Sequence, residues 1–420
     1  MKGIVVNVNN SITIAKKNKL ATLEFVFIIL LFAIYLLPNV SIGSTILMGI
    51  LVVYSVYIFF FDRGMYDMVV TMLLLIAMLA VAYAMLTDAN SIAQTVSNRT
   101  LKRFISKFYQ YICLYFPAIL FVHVNRKASL KQKRLLMIIS IVMIAYVMFT
   151  TWMFLLENPN ATREWENFED NADKGVANYY FIYAIPMVIS VITACYVKLK
   201  GYARFVSVFA IIASLIFLVN AQYTLSVLIS IIGILVQIFQ SMRKKTSRVF
   251  FVLFVILLIP FVPMLLKIAM ENIKSEQMTI RLSEVYDFLT GKGAGGYNLN
   301  GRFTLYWRTI KAFFESPIIG NRNLPFDGHA TFLTVLSDMG VVGGAPFYTL
   351  VCVAVNRINR ELGERKLQFL SVVFMYVLMG VTNPIHASQP LGLATWFVAP
   401  LMIETIFMNE GEGNNETLGN

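Results

Sequence analysis

Apolar runs close to the length of a bilayer crossing recur along almost the whole chain, at roughly 20–37, 45–61, 68–86, 108–124, 135–155, 176–197, 205–219, 224–240, 249–266, 341–355, 367–382 and 391–408. A transmembrane helix needs ~20 predominantly apolar residues, so these runs predict about twelve spans and an all-α, polytopic membrane protein. Composition excludes the alternative of a soluble domain. With 58% hydrophobic and 14% charged residues, there are far more apolar side chains than one soluble core could hold.

Basic residues orient the spans, because short cytoplasmic loops collect lysine and arginine. With the N-terminus inside, the cytoplasmic segments are 1–19, the turn holding Arg63, and the stretches "NRKASLKQKR", "KLKGYAR", "SMRKKTSR" and "NRINRELGERK", which carry more than half of the 35 basic residues. The loop "ENPNATREWENFEDNADKG" is acidic and falls outside. Both ends are then expected in the cytoplasm. The net charge of +12 thus reflects topology and contact with anionic headgroups; no nucleic-acid motif is present. The first run has about twenty polar residues before it and no small-residue cleavage site after it, the pattern of an uncleaved signal anchor. Cys113, Cys195 and Cys352 fall within expected spans without CxxC spacing, which points away from disulfides and zinc.

Most connections are short, but the one from 267 to 328 runs to some ~60 residues, too long for an idle link. It holds a glycine-rich piece, "TGKGAGGYNLNG", that fits neither a P-loop nor a dinucleotide fingerprint and reads as a hinge. Next comes "RFTLYWRTIKAFFES", in which Phe303, Tyr306, Trp307, Ile310, Phe313 and Phe314 recur at helical spacing. This predicts an amphipathic helix lying on the outer membrane surface, with Arg302 at the edge of its aromatic arc. Lys292, Arg302, Arg308, Lys311 and Arg322 face only Glu315 in charge, so a lipid-linked phosphate or pyrophosphate suits the loop, arginine offering planar, bidentate bonding. Anchoring to ordinary headgroups explains the same charges.

His329 is one of three histidines and opens the short segment "HATFLTVLSDM" after Asp327 and Gly328, which can cap a helix. Gly340, Gly343, Gly344 and Pro346 then interrupt the chain, and a broken helix at membrane depth is tolerated where it lines a polar cavity. An imidazole there can take a proton from an attacking hydroxyl at neutral pH; a hydrogen-bonded interfacial histidine is the simpler alternative. His386, in "TNPIHASQP", is the competing candidate, and His123 reads as structural.

The segment "GRFTLYWRTIKAFFESPIIGNRNLPFDGHATFLTVLSDMGVVGG" resembles the signature region of the O-antigen polymerase and ligase superfamily of bacterial envelope glycosyltransferases. The matching positions are Gly301, Arg302, Trp307, Pro317, Gly320, His329, Gly340 and Gly343. Span number, inward ends and one late, large loop agree with that family. The resemblance implies an arrangement of spans one to six over 1–204, a polymerase/ligase-like core over 205–408 that includes loop 267–328, and a cytoplasmic tail over 409–420. It implies transfer of an oligosaccharide from undecaprenyl pyrophosphate to an acceptor hydroxyl on the outer face of the bacterial inner membrane, with no cofactor and no metal. Arg302 then stabilises the departing pyrophosphate and His329 activates the acceptor. Arg281, Arg322, Trp307, Tyr306 and Asp327 are the expected substrate-binding residues, and membrane lipid, a chain-length regulator and a flippase the expected partners. Two positions depart from the family: Ala330 stands where asparagine often follows the histidine, and "NAQYTLSVLIS" lacks an arginine that many members carry. A second cation must come from Arg281, from Arg322, or from Arg99, Lys102, Arg103 and Lys107 before span four. Those last four also read as the polar side of a lead-in whose other side is Leu101, Phe104, Ile105 and Phe108.

Within the superfamily the expectation is a polymerase of lipid-linked repeat units, with a ligase of finished chains to lipid A-core or protein as the alternative. A transporter or flippase shares the span count, yet the helix breaks cluster in the last third without internal repeats. A shape-and-division-type peptidoglycan polymerase would instead need an acidic base, Asp327 or Glu276.

Overall fold

The computed structural model describes residues 20–40, 42–86, 96–162, 168–272, 276–291, 297–321 and 330–416, and every regular element among them is helical. The first group is α1 (Thr22–Leu36), α2 (Ser44–Phe61), α3 (Tyr66–Leu86), α4 (Val96–Lys127), α5 (Leu130–Glu157) and the short α6 (Phe168–Asp173). Then come α7 (Tyr179–Ile182), α8 (Ile185–Tyr196), α9 (Gly201–Asn220), α10 (Thr224–Ser241), α11 (Lys245–Leu258) and α12 (Val262–Asn272). The last are α13 (Glu276–Leu289), α14 (Tyr297–Glu315), α15 (Thr331–Leu362), α16 (Lys366–Thr382), α17 (Gln389–Leu393) and α18 (Ala399–Glu416).

Among the described residues, 10 helical segments are long and apolar enough to cross a membrane, which makes this a membrane-embedded chain. One of them, Thr331–Thr382, contains both α15 and α16, which turn back on each other at Gly363–Arg365. The apolar α1 is shorter than the rest.

Helices from before and after residue 204 share one core, since α15 packs along α3 and α10 along α8. At its centre a π-helical turn, Ala394–Val398, inserts Trp396 between Tyr376 and Tyr115 (ring centroids 4.9 and 5.8 Å). The two tyrosine hydroxyls meet at 3.0 Å, so each buried O–H finds a partner. By contrast α11 has no buried residue.

Turns rich in lysine and arginine gather at one end of the bundle. Arg126 donates to the Gly64 carbonyl (2.7 Å) and, through Nε and Nη2, to Glu361 Oε1 (2.8 and 2.6 Å). Arg365 pairs with Glu404, and Lys198 stands over the Phe407 ring at 5.5 Å. At the same end Ser129 forms a capping box with Gln132 that starts α5, and the Gln132 amide bonds the Leu20 N–H and carbonyl (3.2 and 3.1 Å), tying the start of α1 to it. The helices α13 and α14 lie at the other end, on the side of the Thr382–Gln389 turn.

Candidate functional site

The site is built around a break in α15. Gly340 has φ 55° and ψ −151°, a conformation essentially restricted to glycine, so the helical ladder is interrupted there. The N–H groups of Val341 and Val342 take the carbonyls of Pro317 and Ile318 instead (2.8 and 3.1 Å), and the Asn321 N–H bonds the Ser337 carbonyl (2.7 Å). Gly320 also has positive φ, and a Cβ on it would run into the Asp338 backbone, as one on Gly340 would run into the Ile318 carbonyl. Four of the signature positions, Pro317, Gly320, Gly340 and the adjoining Gly343, thus serve one interlocked turn between the end of α14 and the broken helix. The expected interruption of this helix is present, and it is filled by backbone rather than left open.

Two further bonds complete the frame. The Tyr306 hydroxyl lies 3.4 Å from the Thr382 carbonyl, and Thr331 bonds the turn after α16, its N–H and hydroxyl donating to the Asn383 carbonyl (both 3.3 Å) while its oxygen accepts the Ile385 N–H (2.8 Å). The end of α16, the start of α15 and the middle of α14 therefore converge.

The aromatic arc expected on α14 does not form one face. Thr309 and Ala312 are buried, with Tyr306, Ile310 and Phe313 partly buried beside them. Trp307 is 70% and Phe314 73% exposed, on the side away from the bundle with the exposed Lys311. The physical reason is that α14 packs on α15 through its small residues, which leaves the bulky pair outside. Tyr306 is thereby an anchor of α14. Arg302 stands one turn before it and Arg281 lies on α13; the positions of their side chains, like that of Phe303, are outside what is described. Arg322, Asp327 and His329 lie outside the described residues, and the chain resumes at the buried Ala330.

Beside this frame stands an ionisable cluster. Lys107 of α4 has its Nζ 4.3 Å from the centre of the Tyr83 ring, within electrostatic reach of Asp338 on α15 and of His386. The Ser337 hydroxyl lies 3.3 Å from Asp338 Oδ1. Arg103, one turn before Lys107, adds its charge beside Tyr83. Arg103 and Lys107 thus face α3 and α15, whereas Lys102, like Leu101, is exposed, so the lead-in to α4 divides its charges between the bundle and its outer side. Burial, and next the Lys107 charge, push the His386 imidazole down to about 3. A proton acceptor works best with a pKa near the working pH, so His386 is a poor base. Asp338 escaped the sequence reading, although an acid inside an apolar run two residues before a glycine is the signal of a functional or paired intramembrane charge.

The third histidine is buried and paired inside the bundle. His123 is 3% exposed, with Nδ1 3.0 Å from Asp62 Oδ2 and Nε2 2.8 Å from Glu24 Oε1, and the Tyr54 hydroxyl donates to the same Glu24 oxygen (2.9 Å). Both ring nitrogens are engaged, and the cluster lies at the basic end, away from α14. No protein-family model matches the chain, and no curated protein matches it.

Proposed function

We propose that the chain is a metal-independent glycosyltransferase of the bacterial inner membrane that polymerises lipid-linked oligosaccharide repeat units. In this reading α1 crosses the membrane and Thr331–Thr382 crosses it twice, giving twelve spans. Both termini and the basic turns face the cytoplasm, and loop 267–328 faces outward. The observation that carries the reading is the interlock of Pro317 and Gly320 with Gly340: signature residues far apart in the chain serve one built unit, at the end opposite the basic turns and beside Lys107 and Asp338.

The acceptor hydroxyl oxygen attacks the anomeric carbon of the donor, and its proton passes to His329. The bond from that carbon to the pyrophosphate oxygen breaks, and undecaprenyl pyrophosphate leaves with the electron pair. Arg302 meets the charge on the leaving group through a planar fork, and Lys107, Arg281 or Arg322 supplies the second cation. Removing a general base costs about 10²–10⁴-fold in rate, so His329→Asn and His329→Ala nearly abolish polymer, and Arg302→Lys impairs transfer because it loses bidentate bonding.

The test is transfer from purified undecaprenyl-pyrophosphate repeat units with chelator present; wild-type rates from His329→Asn, or a strict divalent-metal requirement, sink the reading. A clean deletion followed by glycan gel analysis separates polymerase from ligase. Single repeat units on core indicate the first, and long polymer stranded on the carrier the second. Labelling of single cysteines from outside should reach position 275 and not position 129; the reverse pattern overturns the topology.

A further inference from the structure

The same end of the molecule carries a concavity whose chemical character differs from that of the ionisable cluster. A cavity of about 310 Å³ opens between the α1–α2 turn, residues 161–162 and 171–178, and the turn that leads into α17. This is at the lower end of small-molecule sites, ~300–1,000 Å³. One wall is apolar, formed by Ile34, Leu37, Val40 and Leu47. The lining also includes Tyr35, whose hydroxyl donates to the Cys113 carbonyl (3.0 Å), and Tyr109, Thr162, Asn171, Asn178 and Gln389. No charged side chain and no histidine lines it among the described residues.

The polar wall is held rigidly. Asn171 Nδ2 donates to the Ala161 carbonyl (3.1 Å), Asn178 Oδ1 accepts the Tyr180 N–H (2.8 Å), and Gln389 Nε2 donates to the Tyr109 hydroxyl (2.5 Å). Each of these bonds uses one of the amide's two functions, and the other has no partner among the described residues. Thr162 is different: it is 3% exposed, and its hydroxyl has no hydrogen-bond partner among the described residues. A buried, unpaired hydroxyl is costly unless something else completes it.

We propose that this pocket binds a neutral sugar residue of the acceptor glycan. A sugar ring has an apolar C–H face for the aliphatic wall and hydroxyls for the amides, the phenols and Thr162, and it carries no charge for the pocket to answer. Location fits the same role. Ala387, Gln389 and Pro390 line the pocket, while His386 of the same turn is within reach of Lys107. Three residues of chain span at most ~11 Å, so one turn separates the neutral pocket from the ionisable cluster of Lys107 and Asp338. The assignment of that sugar to the acceptor rests on the glycan-transfer reading; the sugar site itself does not.

The full-length protein in lipid nanodiscs is titrated calorimetrically with the oligosaccharide released by mild acid from the lipid-linked repeat unit, and separately with undecaprenyl phosphate. Thr162→Val removes the hydroxyl at nearly constant shape and weakens oligosaccharide binding about tenfold, the loss of one good hydrogen bond, without lowering the melting temperature. Ala172→Phe fills the pocket and abolishes that binding. Neither variant alters binding of undecaprenyl phosphate. In the polymerisation assay Ala172→Phe raises the KM for acceptor and leaves that for donor unchanged. The proposal is overturned if wild type does not bind the oligosaccharide, if both variants bind it as wild type does, or if the variants weaken undecaprenyl phosphate instead. Wild-type protein that binds the oligosaccharide, loses it in Ala172→Phe and yet makes no polymer sinks the transfer reading and leaves the sugar site standing.

Discussion

The segment Lys245–Glu271 and the segment Gln389–Met408 are both membrane-crossing in length, and they differ in the opposite sense from helices of a water-soluble protein. The first is the most apolar of the candidate spans, and none of it is buried; the second is far less apolar, and most of it is buried. In lipid there is no hydrophobic reason to hide an apolar helix, so what enters the core is what packs closely or pairs its polar atoms. The centre accordingly holds Trp396, the Tyr115–Tyr376 hydroxyl pair and the Gln237 amide, which donates to Ser190 Oγ and the Gln368 carbonyl (3.3 and 3.2 Å). The surface holds leucine, valine and phenylalanine.

Substitutions on the two sides put this contrast to the test. Trp396→Ala opens a cavity among Tyr115, Phe369 and Tyr376 and should cost about 3–5 kcal/mol, read as a fall in the unfolding midpoint in detergent; a loss under ~1 kcal/mol would mean that the core is no better packed than the lipid face. Gly340→Ala forces a side chain into a glycine-only conformation against the Ile318 carbonyl, with an expected loss of about 3 kcal/mol. Undocking of the turn should appear as faster hydrogen exchange at Val341 and Val342, and unchanged exchange would refute the interlock. Tyr376→Phe removes one hydroxyl of the buried pair and should cost about 1 kcal/mol, partly recovered in the double variant with Tyr115→Phe; strict additivity would show that the pair is not coupled.

A weaker effect is expected from pH. The native His386 ring, held near 3 against an ordinary 6.5, refuses a proton that the unfolded chain accepts. Its contribution is full above about pH 6.5 and is lost as pH falls toward 3. The acid-side decline in midpoint should therefore be shallower in His386→Gln, and identical slopes would remove the buried neutral ring from the account. The smallest effect belongs to Phe254→Ala on α11, where the side chain is 58% exposed: lipid replaces what is lost, so the midpoint should move by no more than ~0.5 kcal/mol. A drop like that of Trp396→Ala would mean that α11 has a protein partner.

What could be read from the chain beforehand follows the same division. Apolar length and glycine placement located the helices and the break near Gly340, because both depend on local backbone energetics. Burial was not legible, since facing lipid and facing protein both demand apolar side chains, and α11 looks more like a core helix than α17 does. The stripe on α14 misled for a related reason. Tyr306 and Trp307 are equally aromatic, and only the approach of α15 decides which turns inward. Asp338 stands out in the sequence only as an acid inside an apolar run, and its partner Lys107 is on another helix; the neutral pocket draws on segments from Ile34 to Pro390 and had no local signature. The positions weighed most heavily for chemistry, Arg302 and His329, fall where the side chain or the residue is outside what is described, and their roles rest on the experiments above.

The interlocked turn at Gly340 also bears on how the protein is made. In hydrocarbon each unsatisfied backbone group costs several kcal/mol, so α15 cannot settle into its broken shape alone; as an isolated segment it would insert straight. The carbonyls of Pro317 and Ile318 that complete it belong to chain that leaves the ribosome first. That turn is therefore already made when the helix reaches the bilayer, and folding of this region runs in the order of translation.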